Sequence, residues 1–163
     1  MTLAFSQQIG GKPTNFVEKI WFGLIQFNQI LDRKDMEFHL KKCGEKELLW
    51  SEIDKITPKL HTIREDKGNR WKEGMLMHMV IGNRTPNRFQ FAPLVEVTRI
   101  QVIDIDNLFL EKKLVSIDGR ALEEDEIRIL ALNDGFDHLD DFWDFFKGSL
   151  FSGKLIHWTK LKY

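Results

Sequence analysis

The sequence contains a single cysteine, Cys43, and this scarcity limits its covalent structure. One cysteine cannot form a disulfide within the chain, a pattern typical of proteins from reducing compartments. The longest apolar stretches, such as residues 20–25, are far shorter than the roughly 20 residues needed to cross a bilayer. The first residues lack the basic stretch and long apolar run of a signal peptide. We therefore expect a cytoplasmic protein that does not enter a membrane.

The chain also lacks a strong net charge, because 24 basic residues are opposed by 25 acidic ones. Any nucleic-acid site must therefore be a local basic patch rather than a property of the whole molecule. Hydrophobic residues make up 42% of the chain and charged residues 30%, a balance typical of a folded globular protein. The length of 163 residues fits one core, and we predict a single domain over residues 1–163.

Metal-binding spacing is also missing, so we predict neither a metal site nor a cofactor. The five histidines form no ligand pattern with the carboxylates or the cysteine. Asp104 and Asp106 alternate within a predicted strand and would share one face of it. Two acids on one face can bind a cation, but no further ligand is apparent, and solvent exposure is the simpler interpretation.

Hydrophobic periodicity predicts a strand, a helix, an insertion, several strands, two helices and a closing strand. Apolar residues at helical spacing from Phe16 to Leu31 indicate the first helix. Charged residues mixed with scattered apolar ones predict a helical insertion at 32–56. Residues 123–133 begin with four acids, which suits the start of a helix. Many short strands with few helices favour an α+β fold, namely a small mixed β-barrel with helices packed around it.

Two regions of strand pattern give more specific expectations. Leu94 to Ile105 is the longest strand candidate, and its imperfect alternation predicts a bulge or bend. On a regular strand over residues 59–64 (KLHTIR), Thr62 and Arg64 share one face and His61 and Ile63 the other. A lysine beside a threonine hydroxyl can take its proton and create a nucleophile. Two ordinary surface residues are the simpler interpretation of Lys59 and Thr62.

Basic residues are concentrated between residues 55 and 88, whereas residues 104–144 are strongly acidic. Polar and aromatic residues are interleaved with the cations. Cations for phosphates, together with rings on which bases can stack, are what a nucleotide or a single strand needs. A solvated surface that carries both signs is the competing interpretation. The predicted contact residues are Lys59, Arg64, Lys67, Arg70, Trp71, Arg84, Arg88 and Phe89.

Residues 59–64 resemble the K-x-x-T-x-R strand of ASCH domains, a branch of the PUA-like superfamily. Residues 71–74 (WKEG), before an apolar strand, are similar to the family's G-D-x-L motif, with Glu73 in place of the usual aspartate. Residues 133–142 resemble the family's D-G-F helix junction, and residues 151–163 resemble its closing strand. The resemblance extends over about residues 57–163 together with the first strand and helix.

The resemblance implies a β-barrel whose cleft is lined by residues 59–64 and holds RNA or a nucleotide. One enzyme subgroup of the family removes the acetyl group from 4-acetylcytidine with a lysine, a threonine and a carboxylate. The first two match Lys59 and Thr62. Asp134 stands in the position of the subgroup's glutamate and is one methylene shorter.

Three functions are therefore open. Binding of RNA or a nucleotide around Lys59, Thr62 and Arg64 is favoured. In the amidohydrolase alternative, Lys59 is the base, Thr62 the nucleophile and Asp134 the assisting carboxylate. Asp134 also has a structural interpretation, in which it fixes the turn at a helix end. The third function is a protein-interaction module that uses the acidic residues at 137–144, and no particular protein partner is predicted.

Overall fold

The computed structural model describes residues 1–27, 34, 37–38, 41, 56–109 and 112–163. The helical insertion predicted for 32–56 therefore lies outside the described residues, apart from 34, 37–38, 41 and 56. The chain divides into two compact units. The first unit comprises Met1–Lys59 and Met75–Glu96, and the second comprises Leu60–Gly74 and Val97–Tyr163. The single domain over 1–163 stays a prediction.

The first unit contains a small mixed sheet around a central strand. Strand β1 (Thr2–Ala4) is parallel to β5 (Leu76–Ile81). Strands β6 (Phe89–Gln90) and β7 (Val95–Glu96) are both antiparallel to β5. Met77 and Met79, on the central strand, are fully buried. The apolar run that predicted this strand therefore forms the middle of the first unit.

A two-stranded hairpin and one helix complete the described part of the first unit. The hairpin joins β2 (Gln8–Ile9) to β3 (Lys12–Pro13) through Gly10 and Gly11. Both glycines have positive φ, 57° and 79°, which two-residue hairpin turns require and other residues adopt at a cost. Helix α1 (Phe16–Gln26) follows. Ile20 and Leu24 of the predicted apolar stripe are buried, Phe27 just past the helix is 44% exposed, and Leu31 lies outside the described residues.

The second unit is built on a five-stranded antiparallel sheet in the order β10-β9-β8-β11-β4. The strands are β4 (His61–Arg64), β8 (Arg99–Phe109), β9 (Lys112–Ile117), β10 (Arg120–Ala121) and β11 (Leu150–His157). The strand predicted from Leu94 to Ile105 is thus two strands, β7 and β8. Residues 97–98 separate the two strands, and the irregular register of β8 lies between Asp106 and Phe109.

Two helices cover one face of the five-stranded sheet. Helix α2 spans Glu124–Asn133 and helix α3 spans Leu139–Phe145, close to the predicted helices. The first turn of α2 carries three acids, and the Glu126 side chain accepts a hydrogen bond from the Glu123 backbone N–H. Inward residues of the sheet pack with residues of both helices in one apolar core, including Ile103, Ile105, Val115, Leu130 and Phe142.

The described residues form an α+β fold with three helices and several sheets, which confirms the predicted class. None of the sheets formed by these residues closes into a barrel, so the predicted barrel is not confirmed. The physical reason is visible at β4, an edge strand of its sheet, which is covered by the end of α2 instead of a further strand. In the described part of the chain, every helix is too short or too polar to span a bilayer.

Candidate functional site

The outer edge of strand β4 is closed by the C-terminal end of α2. The backbone N–H of Leu60 donates to the carbonyl oxygen of Asn133 at 2.8 Å. The backbone N–H of Ile63 donates to Oδ1 of Asp134 at 3.1 Å. An open edge would leave these backbone groups without partners inside the protein. A helix end and one carboxylate therefore take the place of another strand, and they bring Asp134 to the strand that carries Thr62.

The side chains of β4 alternate between two faces, as the sequence predicted. Ile63 packs in the core beneath the helices, and the His61 ring contacts Tyr163. Thr62 and Arg64 consequently lie on the opposite face of the sheet. Thr62 is 3% exposed, so its hydroxyl is enclosed rather than displayed at an open surface.

The Asp134 carboxylate interacts with two residues of strand β4, His61 and Arg64. Its Oδ1 lies 3.5 Å from Nδ1 of His61, and its side chain is largely buried. Burial lowers the pKa of the Arg64 guanidinium, and the negative charge of Asp134 offsets part of that decrease. The structure therefore places two of the predicted site residues, Arg64 and Asp134, within electrostatic reach of each other. The Asp134 carboxylate also has a structural role that differs from the predicted one, because it accepts a backbone N–H of β4.

A buried polar cluster that the sequence reasoning missed extends from Asp134 into the helix-covered side of the sheet. Nε2 of His61 lies 2.9 Å from the Tyr163 hydroxyl, and Nδ2 of Asn133 donates to the same hydroxyl at 2.8 Å. Burial raises the pKa of Tyr163, which keeps the phenol protonated. A consistent assignment has Tyr163 donating to His61 Nε2, which leaves the Nδ1 proton of His61 facing Asp134.

Gln101 attaches Tyr163 to the centre of the sheet. Its side-chain amide accepts from the Tyr163 backbone N–H at 3.2 Å and donates to the Tyr163 carbonyl oxygen at 3.1 Å. The same amide donates to Asp118 Oδ2 at 2.9 Å. Burial alone would raise the pKa of Asp118, but hydrogen bonds from Gln101 and Val102 lower it below its usual value. This bonding fixes Tyr163 in position beside His61.

His157 is a second imidazole in this cluster, and its surroundings differ from those of His61. Its ring lies 5.3 Å from the His61 ring and 6.1 Å from the Tyr163 ring, and it is fully buried. Among the described residues, neither of its ring nitrogens has a hydrogen-bond partner. Burial, followed by the charges of His61 and Arg99, lowers the pKa of His157 to about 3. The ring is therefore neutral at physiological pH.

The sequence pattern contains one indication of this polar cluster, namely polar residues at inward positions of strands. Gln101 occupies a position on β8 that the period-two pattern assigns to the core, in the same alternation as Ile103 and Ile105. His61 and His157 likewise alternate with core residues of their strands. A polar residue at an inward position requires a buried partner, so several such residues on one sheet predict a polar cluster.

The loop after β4 presents two of the predicted cations to solvent. The Asp66 carboxylate accepts hydrogen bonds from the backbone N–H groups of Arg70 and Trp71, each at 3.0 Å. These bonds lower the pKa of Asp66 although its burial alone would raise it. The side chains of Lys67 and Arg70 are 84% and 72% exposed, and Nζ of Lys67 lies 3.0 Å from Glu65 Oε1. Trp71 is 7% exposed, so its ring is enclosed.

The remaining predicted contact residues lie in the first unit. Arg84 and Arg88 are exposed, and Phe89 is half-buried. Lys59 is 1% exposed, with its Nζ 4.6 Å from the centre of the Phe16 ring, a cation–π contact. Phe16 also lines a small open cavity of about 70 Å³ at the beginning of α1. Lys59 is therefore an interior residue, and its cation is stabilised by an aromatic face.

The described residues contain no group of three or more histidine, cysteine, aspartate or glutamate side chains arranged to hold a metal ion. Comparisons with protein-family models, with curated proteins and with solved structures found no match.

Proposed function

We propose that this chain is an RNA- or nucleotide-binding domain of the ASCH type. The observation that carries the proposal is the ordered loop after β4, in which Asp66 holds the backbone while Lys67 and Arg70 extend into solvent. Phosphate binding needs exposed cations at fixed positions, and a loop closed by its own backbone hydrogen bonds provides them. Arg64 precedes this loop on β4 and is half-buried.

The local charge agrees with a phosphate partner. Residues 64–72 contain four cations and two acids, although the whole chain is nearly neutral. Glu65 and Asp66 reduce the field of this segment, because Glu65 lies 3.0 Å from Lys67 and Asp66 lies 4.0 Å from Arg70, but the cations still outnumber the acids. A local positive patch on a neutral protein favours a compact ligand, such as a nucleotide or a short single strand, over long duplex nucleic acid.

We also propose that the fold is a PUA-like barrel. It is supported by the K-x-x-T-x-R pattern at residues 59–64 and by the D-G-F junction near Asp134. Trp71 is enclosed and Phe89 is half-buried, so Phe89 is the more accessible of the two predicted rings.

The test is a titration of the full chain with a fluorescently labelled single-stranded RNA at several salt concentrations. The double variant Lys67→Ala/Arg70→Ala should bind more weakly, with a salt-dependence slope reduced by about 1.4 for two lost phosphate contacts. The matched control is Lys147→Ala/Lys160→Ala, which removes two exposed cations elsewhere in the same unit. Equal weakening in both variants, or no RNA binding by the unaltered protein, would reject the proposal.

A second candidate is the amidohydrolase, and one observation favours it. Asp134, at the position of the family's catalytic glutamate, lies against the strand that carries Thr62. In this alternative the Thr62 hydroxyl gives its proton to Lys59 and attacks the acetyl carbonyl, the bond from that carbonyl to the cytidine nitrogen breaks, and the proton passes from Lys59 to the leaving amine with the assistance of Asp134. Water then hydrolyses the acetyl ester of Thr62, which releases acetate and restores the hydroxyl. The role of Lys59 rests on the sequence resemblance alone.

Release of cytidine from 4-acetylcytidine tests this alternative. Thr62→Val, which keeps the side-chain shape, should abolish turnover but leave RNA binding nearly unchanged. Asp134→Asn keeps an acceptor for the Ile63 N–H, so it should reduce turnover while the protein remains folded. Absence of turnover by the unaltered protein would remove the hydrolase from consideration and leave the binding proposal untouched.

A further inference from the structure

Two cations are cross-strand neighbours in the sheet of the second unit, at the end of β4 that leads into the loop. Arg64 of β4 pairs directly with Lys154 of β11, on the face of the sheet opposite helices α2 and α3. Directly opposed residues of an antiparallel pair have their Cβ atoms about 4.5–5.5 Å apart. The two strands approach closely here, because a Cβ atom added to Gly153 would lie 2.6 Å from the Arg64 carbonyl oxygen. The backbone therefore holds the two cations side by side.

Lys154 is absent from the predicted contact residues, and its charge has no close partner in the described part of the chain. Its ammonium group forms neither a hydrogen bond nor an ion pair with another described residue. Asp66 attracts it, but the two oxygens of that carboxylate already accept backbone hydrogen bonds within the loop. Asp104 is the diagonal neighbour of Lys154, and such positions are about 7–8 Å apart. The charge of Lys154 is therefore available to an anion.

The pairing of Arg64 with Lys154 does not stabilise the fold. Like charges that lie directly across an antiparallel pair are destabilising. Burial lowers the pKa of Arg64, and Asp134 offsets only part of that decrease, so a further negative charge would stabilise the guanidinium. Residues that oppose stability in this way are typical of functional sites. A bound anion would turn the repulsion between the two cations into two attractions.

The charge of this pair suits one kind of phosphate. A phosphate monoester, as on a nucleotide or at the end of an RNA strand, carries roughly 1.5–2 negative charges at pH 7, whereas a phosphodiester within a strand carries about one. In the loop, Lys67 lies 3.0 Å from Glu65 and Arg70 lies 4.0 Å from Asp66, so each loop cation has an acid beside it. Two adjacent cations match the monoester, and single, partly balanced cations match phosphodiesters.

We propose that Arg64 and Lys154 together bind the terminal phosphate monoester of a nucleotide or of a single-stranded RNA. This inference rests on the proposed binding function and names the chemical group that its site selects. The Arg64 guanidinium can donate two parallel hydrogen bonds to phosphate oxygens, and the Lys154 ammonium adds a point charge. Asp66 is within electrostatic reach of both Lys154 and Arg70, so the pair adjoins the loop that is proposed to hold further phosphates.

The test compares three single-stranded RNAs of one sequence with an internal fluorescent label: one without a terminal phosphate, one with a 5′-phosphate and one with a 3′-phosphate. Fluorescence anisotropy with the full chain should show that one of the phosphorylated RNAs binds about tenfold more tightly than the unphosphorylated RNA. Adenosine monophosphate, with adenosine as its control, distinguishes the two sources of the phosphate. Displacement of the RNA by adenosine monophosphate alone would identify a free nucleotide as a sufficient ligand, and its failure would identify the strand end.

Substitution of Lys154 separates this site from the loop. Lys154→Gln should abolish the preference for the terminal phosphate, whereas Lys154→Arg should retain it. Asp104→Asn removes the diagonal acid and should strengthen binding of the phosphorylated RNA. Lys67→Ala/Arg70→Ala should weaken binding of all three RNAs and leave the preference in place. The matched control Lys147→Ala removes an exposed cation elsewhere in the same unit and should change neither affinity nor preference.

Four results would overturn the proposal. Equal affinity of the unaltered protein for all three RNAs would exclude the terminal phosphate and leave the proposed RNA binding in place. An unchanged preference in Lys154→Gln, or an equal loss in Lys147→Ala, would remove Lys154 from the site. Lower stability of Lys154→Gln in urea denaturation would assign Lys154 a structural role, because relief of like-charge repulsion should leave stability unchanged or slightly higher. Binding of neither RNA nor nucleotide would reject the proposed function and this inference together.

Discussion

The helix-covered face of the five-stranded sheet has two ends with opposite chemistry. At one end, Ile105 and Val115 pack with Phe142 in an apolar core. At the other end of the same strands, Gln101 and His157 face the Tyr163 ring and form a polar cluster. The polar end lies beside β4 and Asp134, where the candidate site is located.

The two ends of the sheet contribute differently: the apolar end stabilises the fold, and the polar end fixes the positions of particular residues. Burying apolar area stabilises the fold without hydrogen-bond geometry, so the apolar end depends on close packing. Buried polar groups are costly unless each is hydrogen-bonded, so the polar end requires one particular arrangement. That requirement makes the polar end suited to hold Asp134 and β4 in fixed geometry.

The largest expected effect comes from the apolar end. Phe142→Ala should lower the free energy of unfolding by about 3–5 kcal/mol, because the ring is fully buried and its removal leaves a cavity. Urea denaturation measures this change. Leu150→Ala, at a position 67% exposed, is the control and should change stability little. Similar losses in both variants would contradict the assignment of the core.

Removing the hydroxyl oxygen of Tyr163 should destabilise the polar end. Tyr163→Phe removes the partner shared by His61 and Asn133 and leaves two polar groups unsatisfied. We expect a loss of about 2–3 kcal/mol in the free energy of unfolding, by the same denaturation measurement. A neutral or stabilising substitution would show that the hydroxyl bonds do not hold the cluster together.

Lowering the pH should decrease the free energy of unfolding, because His157 is protonated more readily in the unfolded state. Its pKa is about 3 in the folded protein and near 6.5 when unfolded, so the unfolded state takes up a proton first as the pH falls. The stability contribution is fully present above pH 6.5 and is lost as the pH falls from 6.5 towards 3. Between pH 7.5 and pH 5 the free energy of unfolding should decrease by about 2 kcal/mol.

The His157→Phe variant tests the origin of that pH dependence. The ring nitrogens of His157 have no hydrogen-bond partner among the described residues, so a ring without them removes the titration at small structural cost. Its stability should vary less between pH 7.5 and pH 5 than that of the unaltered protein. An identical pH profile would assign the effect to other groups.

The smallest expected effect is at the exposed loop. Lys67→Ala breaks an ion pair between two solvent-exposed side chains, and such pairs contribute little to stability. We expect no measurable change in unfolding, in contrast to a measurable change in RNA binding. A large loss of stability would show that Lys67 holds the loop in place of Asp66.

Several features followed from the sequence because they depend on neighbours in the chain. The helix expected at 123–133 appears as α2, Glu124–Asn133, since acids at its start and apolar spacing act within a few residues. The alternation of side chains along β4 followed from the geometry of any strand. The strand expected from Leu94 to Ile105 appears as two strands, β7 and β8.

The tertiary structure decided what the polar residues do. Asp134 accepts from the Ile63 backbone N–H although 71 positions separate them, and His61 reaches Tyr163 across 102 positions. A pattern along the chain carries no information on which distant residues become partners. The sequence determined that polar groups occupy inward positions. Hydrogen bonding of Gln101, His61 and Tyr163 fixed their partners only when the strands and helices packed together, because those partners are distant in the chain.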